Sequence, residues 1–431
     1  MNFGTIQVAD IFVGALNATE AYFGTEKVWE KSAPPTANWL CFTAEEANST
    51  VRMSRFGSAP TVSLEYSTDG ATWSPFVVGT TTVTLANIGD YVYVRATSAG
   101  NTKMSSSSSN YNQFVMTGKI AASGNVDTLL DQNGNATLAS YCYNHMFQNC
   151  RSLTTAPTLP ATTLASNCYT SMFLGCSSLT TTPSLPATTL ANNCYQEMFR
   201  DCSSLTSAPS LPVTTLANNC YYGMFQNCRS LTTAPTLPAT TIVKFCYYGM
   251  FQGCTSLTTA PELPATTLAI QCYTNMFYGC TSLTTAPTLS ATTLADSCYY
   301  NMFYGCTSLT TAPELPATTL VSSCYSYMFN GCTSLTSAPE LPATTLSSGC
   351  YNSMFNGCSN LSSITLGYTG NFADAPSKAF TNWVSGVASS GTFYYNGSDT
   401  TTGVSAIPVG WTIVSSHTKV KYTAASGLPD W

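Results

Sequence analysis

CYTSMFLGCSSLTTTPSLPATTL, residues 168–190, decides how this chain folds, because close relatives of the stretch return every 26 residues along it. Its two cysteines belong to two series. One falls at 142, 168, 194, 220, 246, 272, 298, 324 and 350, the other at 150, 176, 202, 228, 254, 280, 306, 332 and 358. Neither series is interrupted by an insertion or deletion, and Cys41 stands outside both. A fixed period of this length marks stacked repeats, in which no unit buries its apolar face alone.

Within the unit, Cys168, Met172 and Cys176 lie at i, i+4 and i+8, which a helical turn would place on one face. Tyr169 and Phe173 form the adjacent pair. Such a short stretch cannot be stable alone and would be held by its neighbours. The residue before the second cysteine is Asn149, Gly175, Asp201 and Asn227, then Gly253, Gly279, Gly305, Gly331 and Gly357. These types tolerate a left-handed backbone, so each helical turn is expected to end there. Leu179 then opens an extended arm that Pro183 keeps out of a full hydrogen-bonded ladder. Leu185 follows, Pro186 bends the chain, and Ala187–Leu190 leads back. The expectation is an α+β repeat solenoid of nine 26-residue units, leucine-rich-repeat-like, each with one or two short strands and one helical turn. Cys168, Met172, Phe173, Cys176 and Leu179 would each begin or join an internal ladder. At about 4.8 Å per stacked strand the rod would be on the order of 45 Å long.

Three regions flank or lead into the array. Residues 31–120 alternate over Thr61–Tyr66 and Val92–Val94, carry the hairpin signal Asp69-Gly70, and start a further strand at Phe114–Met116. They predict a small β-sandwich, with the serine run 105–109 as a loop. Residues 1–30 hold short β-prone pieces, Ile11–Val13 and Ala21–Phe23, suited to attachment. The array is assigned 121–366, with Val126–Leu138 leading in and covering the first coil. In 367–431, Phe380, Trp383, Phe393, Tyr394, Tyr395 and Trp411 supply an aromatic-rich capping module for the last open coil.

Only 8% of residues are charged, against 44% hydrophobic, with a formal net charge of -6. That balance argues against nucleic acid, which needs clustered Lys and Arg, and against a disordered chain. No apolar stretch approaches the length of about 20 residues that spans a bilayer, and the N-terminus lacks the basic region of a secretory signal. The cysteines spread along two lines rather than converging, which disfavours zinc. Pairs eight residues apart on a helix are too distant to bridge, while links between adjacent coils stay geometrically open. A compact buried hydrophobe that fits a narrow coil is the reading the spacing favours.

Specificity, in so uniform a unit, must come from its variable positions. One variable stripe runs 145, 171, 197, 223, 249, 275, 301, 327, 353, and beside it lie Tyr222, Tyr248 and Tyr300, with Tyr278 and Tyr304 close by. With Tyr327 these make a candidate aromatic strip for protein or glycan recognition. Merely covering the helical flank, or touching a neighbouring subunit, is the competing explanation. Glu262, Glu314 and Glu340 recur after the proline but are interrupted by Thr288, the pattern of a solvated row rather than a catalytic pair. His145 and His417 are far apart and show no partnered nucleophile or metal pattern, and no cofactor motif is present. The expectation is a protein that is not an enzyme and takes no cofactor.

MFYGCTSLTTAPTL, Met276–Leu289, resembles the leucine-rich repeats of bacterial BspA-type surface proteins, and the resemblance covers residues 142–361. It implies a surface or adhesion protein that binds host proteins or other cells. The 26-residue period and proline-rich arm depart from many members. AYFGTEKVW, 21–29, is similar to N-terminal motifs of tail and virion proteins of phages that infect gut Bacteroidetes. NWVSGVASSGTFYY, 382–395, resembles C-terminal modules joined to such repeats in phage and prophage proteins. Together these imply a virion protein, in the tail, that attaches to a bacterial surface protein or glycan. Its ends would contact other virion proteins, and a homo-oligomer is open. The competing readings are a structural spacer of the virion and a bacterial cell-surface adhesin.

Overall fold

In residues 167–176 and their equivalents in the other units, even- and odd-numbered positions use their N–H groups differently. In the computed structural model, which describes residues 20–23, 26–30, 38–397 and 406–414, the even ones reach back three residues. Cys168 N–H donates to the Ala165 carbonyl, Met172 to Tyr169 and Cys176 to Phe173. The odd ones reach across to the next unit: Tyr169 donates to the Cys194 carbonyl, Ser171 to Gln196, Phe173 to Met198 and Gly175 to Arg200. The result is a ribbon of overlapping tight turns rather than a helix. Every fourth residue is left-handed, with φ of 58° at Asn167, 52° at Ser171 and 74° at Gly175.

The expected α component is therefore corrected. Among the described residues there is no α-helix, only two short 3-10 turns, Val126–Leu129 and Phe372–Asp374. The cause lies in the left-handed positions. An α-helix needs every residue right-handed, and a left-handed L-residue costs about 1–2 kcal/mol. Once every fourth residue turns left, half of the N–H groups swing out of the turn. They are satisfied by the neighbouring unit, so the ribbon cannot exist without the stack. The four-residue spacing of Cys168, Met172 and Cys176 puts them inside for a different reason than a helix would.

Columns of equivalent side chains fill the interior. Cys168, Met172, Phe173, Cys176 and Leu179 and their equivalents are buried, as the ladders require. The phenylalanines stack from Phe147 to Phe355, with Phe173 and Phe199 5.6 Å apart and 2° from parallel. The tyrosine after each first cysteine is also inside: Tyr169 and Tyr195 stack at 5.9 Å, and Tyr143 through Tyr351 are buried throughout. The proline-rich arms touch mainly through single threonine bridges such as Thr233↔Thr259 and Thr259↔Thr285.

The chain before the repeats supplies the surface on which the first unit stacks. Strands β1 (Glu20–Phe23) and β2 (Glu26–Glu30) pair antiparallel. Ile11–Val13 lies outside the described residues. Strands β3 (Leu40–Ala44), β4 (Ser49–Phe56), β5 (Leu64–Ser67), β6 (Ser74–Phe76), β7 (Thr82–Leu85), β8 (Tyr91–Ala96), β9 (Tyr111–Thr117) and β10 (Ile120–Ser123) follow. They make two sheets, β10-β3-β8-β5-β6 and β7-β4-β9, whose inner faces meet where Phe42 contacts Phe114 at 4.9 Å. The first unit's β11 (Leu153–Thr155) pairs in parallel with β10, extending that sheet. Phe114 stacks on Phe147 at 5.3 Å as if it were the previous member of the phenylalanine column.

At the other end the array runs on past its last cysteine. Gly349, Tyr351, Ser353, Phe355 and Gly357 donate to the carbonyls of Ser377, Ala379, Thr381, Trp383 and Ser385. Lys378, Asn382 and Gly386 repeat the left-handed positions, with φ of 60°, 52° and 74°. Residues 378–387 thus form a tenth ribbon, in which Ala379 and Val387 stand where cysteines would, Phe380 replaces tyrosine and Trp383 replaces methionine. Strands β12 (Ser337–Leu341), β13 (Ser363–Leu366), β14 (Thr392–Tyr395) and β15 (Thr412–Val414) line up in parallel beside it. Trp383 and Trp411 tie this end together, donating to the Ala406 and Ala388 carbonyls at 2.9 and 2.7 Å.

Candidate functional site

Each ribbon exposes the side opposite its cysteines, and the six tyrosines singled out in the sequence all lie there, half-buried. They meet in three pairs. Tyr222 and Tyr248 stack at 4.6 Å and 4° from parallel, and Tyr278 and Tyr304 at 4.6 Å and 5°. Tyr300 and Tyr327 meet at 5.6 Å with their planes tilted by 59°. In the first two pairs, stacked along the direction in which units follow one another, each ring covers one face of its partner. All four rings stay partly exposed. Asn275 fixes one of their hydroxyls by donating from Nδ2 to Tyr248 Oη at 3.1 Å. Burial raises the Tyr222 and Tyr300 phenols above the ordinary tyrosine range, and neighbouring tyrosines add to the effect.

The variable stripe from 145 to 353 proves to be the middle left-handed column of the ribbon. That explains Gly223, Gly249, Asn275 and Asn301 without reference to any ligand. Three residues there are poorly suited to such a backbone: His145 at φ 60°, Glu197 at φ 52° and Tyr327 at φ 57°. Each has a partner. The His145 ring packs on Tyr111 at 4.6 Å, and its burial there lowers its pKa. Tyr327 meets Tyr300. Glu197 accepts from Arg200 at 2.6 Å, and Arg200 also lies 3.5 Å from Asp201. Asn227 Nδ2 donates to Asp201 Oδ1 at 2.8 Å.

Glu197, Arg200 and Asp201 were not among the residues expected to bind. Yet the third unit alone puts charged side chains into the outward ribbon columns of the nine units, a departure the sequence displays. The cluster sits one unit before Tyr222 and two before Tyr248. Glu262, Glu314 and Glu340 are exposed on the arms. His417 lies outside the described residues.

Among the described residues, no three His, Cys, Asp or Glu side chains gather as a metal site, and no helix is long and apolar enough to cross a membrane. All cysteines are buried and unpaired. Burial pushes their thiols up, to about 12 for Cys280 and Cys246, which suppresses the reactive thiolate.

Comparison with protein families gives a match in three overlapping stretches, residues 135–258, 222–312 and 274–386, to the family described as a BspA-type leucine-rich repeat region. Together they span 135–386, which is 252 of 431 residues. The match ends at the last residue of the left-handed pattern, Gly386. No curated protein and no solved structure matches the chain.

Proposed function

Because this chain belongs to the BspA-type leucine-rich repeat family over more than half its length, we propose that it is a non-enzymatic, adhesion-type protein whose ribbon face engages a macromolecular partner. The observation that carries this reading is the concentration of half-buried tyrosines at variable positions of an otherwise uniform surface. Tyrosine gives a large, rigid contact at low entropic cost. Their rings and hydroxyls together suit a bacterial surface protein or a glycan as partner.

The setting we propose is a virion, in its tail, with the N-terminal region or the C-terminal end held by other virion proteins. The likeness of 21–29 and 382–395 to phage proteins supports it. The test uses the full chain, fluorescently labelled, on intact bacterial cells. Tyr222→Ala, Tyr248→Ala, Tyr278→Ala and Tyr304→Ala combined should lower cell binding at least tenfold while leaving the circular dichroism spectrum unchanged. A spacer reading is favoured by the same stacking, since rings that cover one another also bind unit to unit. It wins if the wild-type chain binds no cell surface and antibodies to residues 121–366 fail to label intact particles. Labelling of cells that carry no particles would instead favour a bacterial adhesin.

A further inference from the structure

Seven arms bend at a proline, at 160, 186, 212, 238, 264, 316 and 342; the ninth unit has Tyr368 at that place and the sixth has Ser290. The exchange has two structural consequences. An isolated parallel bridge joins Leu263 and Leu289. Such a bridge needs the N–H of the residue after one of its two members. Pro264 has none, so only Ser290 can supply it. The missing pyrrolidine ring also leaves room. A groove of about 500 Å³ opens here between the sixth and seventh units, lined in part by Pro287, Leu289, Ser290, Thr292, Pro313 and Glu314.

The lining has a definite chemistry. Leu289, Pro287 and Pro313 are buried and give the groove an apolar base, while Ser290, Thr292 and Glu314 are exposed around it. Three hydroxyls that donate or accept, those of Thr288, Ser290 and Thr292, and one carboxylate that only accepts suit a ligand rich in vicinal hydroxyls. The proline and leucine carbons suit its C–H face. No cation lines the groove, so phosphate, sulfate and carboxylate ligands lack a counter-charge. The volume falls within the range of small-molecule pockets, about 300–1,000 Å³. We propose that this groove is a subsite for one neutral hexopyranose residue of a glycan, separate from the tyrosine pairs of the ribbon face.

The test is saturation-transfer difference NMR on the full chain with glucose, galactose and mannose, each alone at millimolar concentration. At least one sugar should show transfer to its ring C–H protons. Ser290→Pro installs the residue that seven other units carry, so the fold should persist, and circular dichroism checks that it does. Both Ser290→Pro and Glu314→Thr should reduce the transfer at least fivefold, whereas Tyr222→Ala with Tyr248→Ala should leave it unchanged. Absence of transfer from all three sugars overturns the proposal, as does equal transfer to wild type and to both groove variants. Transfer from a decaproline peptide in place of the sugars would also overturn it. Loss of cell binding through the tyrosines alone would leave this site standing, so the two readings fail separately.

Discussion

From the second unit on, the second cysteine donates its Sγ–H to a phenylalanine carbonyl of the unit before, as Cys254 does to Phe225 and Cys280 to Phe251, both at 3.1 Å. That gives the residue type a reason beyond size. Alanine would remove the donor and leave a void, whereas the thiol is small, apolar in bulk and still a weak donor. Cys254→Ala should cost about 1–3 kcal/mol in chemical denaturation. With thiols pushed up to about 12 by burial, the native protein at pH 8 should react with an aromatic disulfide reagent far more slowly than after unfolding. Fast labelling of the native chain would contradict the burial. Asp127 is the odd buried group: it accepts from the Tyr143 hydroxyl at 2.9 Å, at the end of the tyrosine column. Burial lifts its carboxyl from 3.8 to about 6, against the opposing pull of that hydrogen bond. A carboxyl raised in the folded state favours folding most below its unfolded value. Its contribution is lost as pH rises from about 4 to about 6, by up to roughly 3 kcal/mol. Wild type should therefore lose stability relative to Asp127→Asn between pH 4 and pH 7, and parallel pH profiles would refute the assignment. The sequence could not announce either role, since nothing local marks Asp127 as the residue beneath a column that begins at Tyr143.

The ribbon is half legible in the sequence. Its boundaries, its inward cysteines, Met172 and Phe173, and the left-handed residue at Gly175 were legible from spacing and residue type. The helix was not, because i, i+4, i+8 fits a helical face and a four-residue turn ribbon equally well. The deciding signal lay in two further columns, Asn167-type and Ser171-type, whose Asn, Gly and Ser content also marks left-handed backbone. Position 145 through 353 looked variable and hence recognitional, yet much of its variation is among residues that all suit one conformation. Gly279→Ala isolates that backbone cost: φ is 69° and an added methyl would meet nothing within 4 Å. It should destabilise by about 1–2 kcal/mol. Gly253→Ala, whose methyl would press on Asn227 Oδ1, should cost more. Equal costs would mean that the neighbouring unit yields freely. The tenth ribbon escaped notice for a simpler reason: Ala379 and Val387 hold the cysteine places, so the most visible marker of the period is missing. Trp383 fills the methionine place there and is fully buried. Trp383→Ala should cost about 3–5 kcal/mol and release the C-terminal end first, read as hydrogen exchange in residues 378–395 rising before that of the middle units.

At the scale of the whole molecule, two different kinds of structure share one set of columns. The sheet strands β9 and β10 receive the first unit, and the parallel strands β14 and β15 continue from β13 of the ninth, so the repeats have a built surface at either end. Because the odd-numbered N–H groups of each ribbon are satisfied by the following unit, register along the chain matters more than the number of units. Removing residues 168–193 would join Asn167 to Cys194 and leave every cysteine, methionine, tyrosine and phenylalanine in its column. It also spares the six ribbon tyrosines and the groove at Ser290. Removing residues 168–180 takes out only half a unit and would set a ribbon against an arm. Ribbon N–H groups would then face prolines and threonines in place of ribbon carbonyls, and the aromatic columns would break. The first deletion should give a monodisperse protein with a wild-type far-ultraviolet spectrum and a modestly lower unfolding midpoint. The second should be insoluble or unfolded. If both deletions behaved alike, stability would not reside in the contacts between units, and the account of the ribbon as an element that exists only in the stack would be wrong.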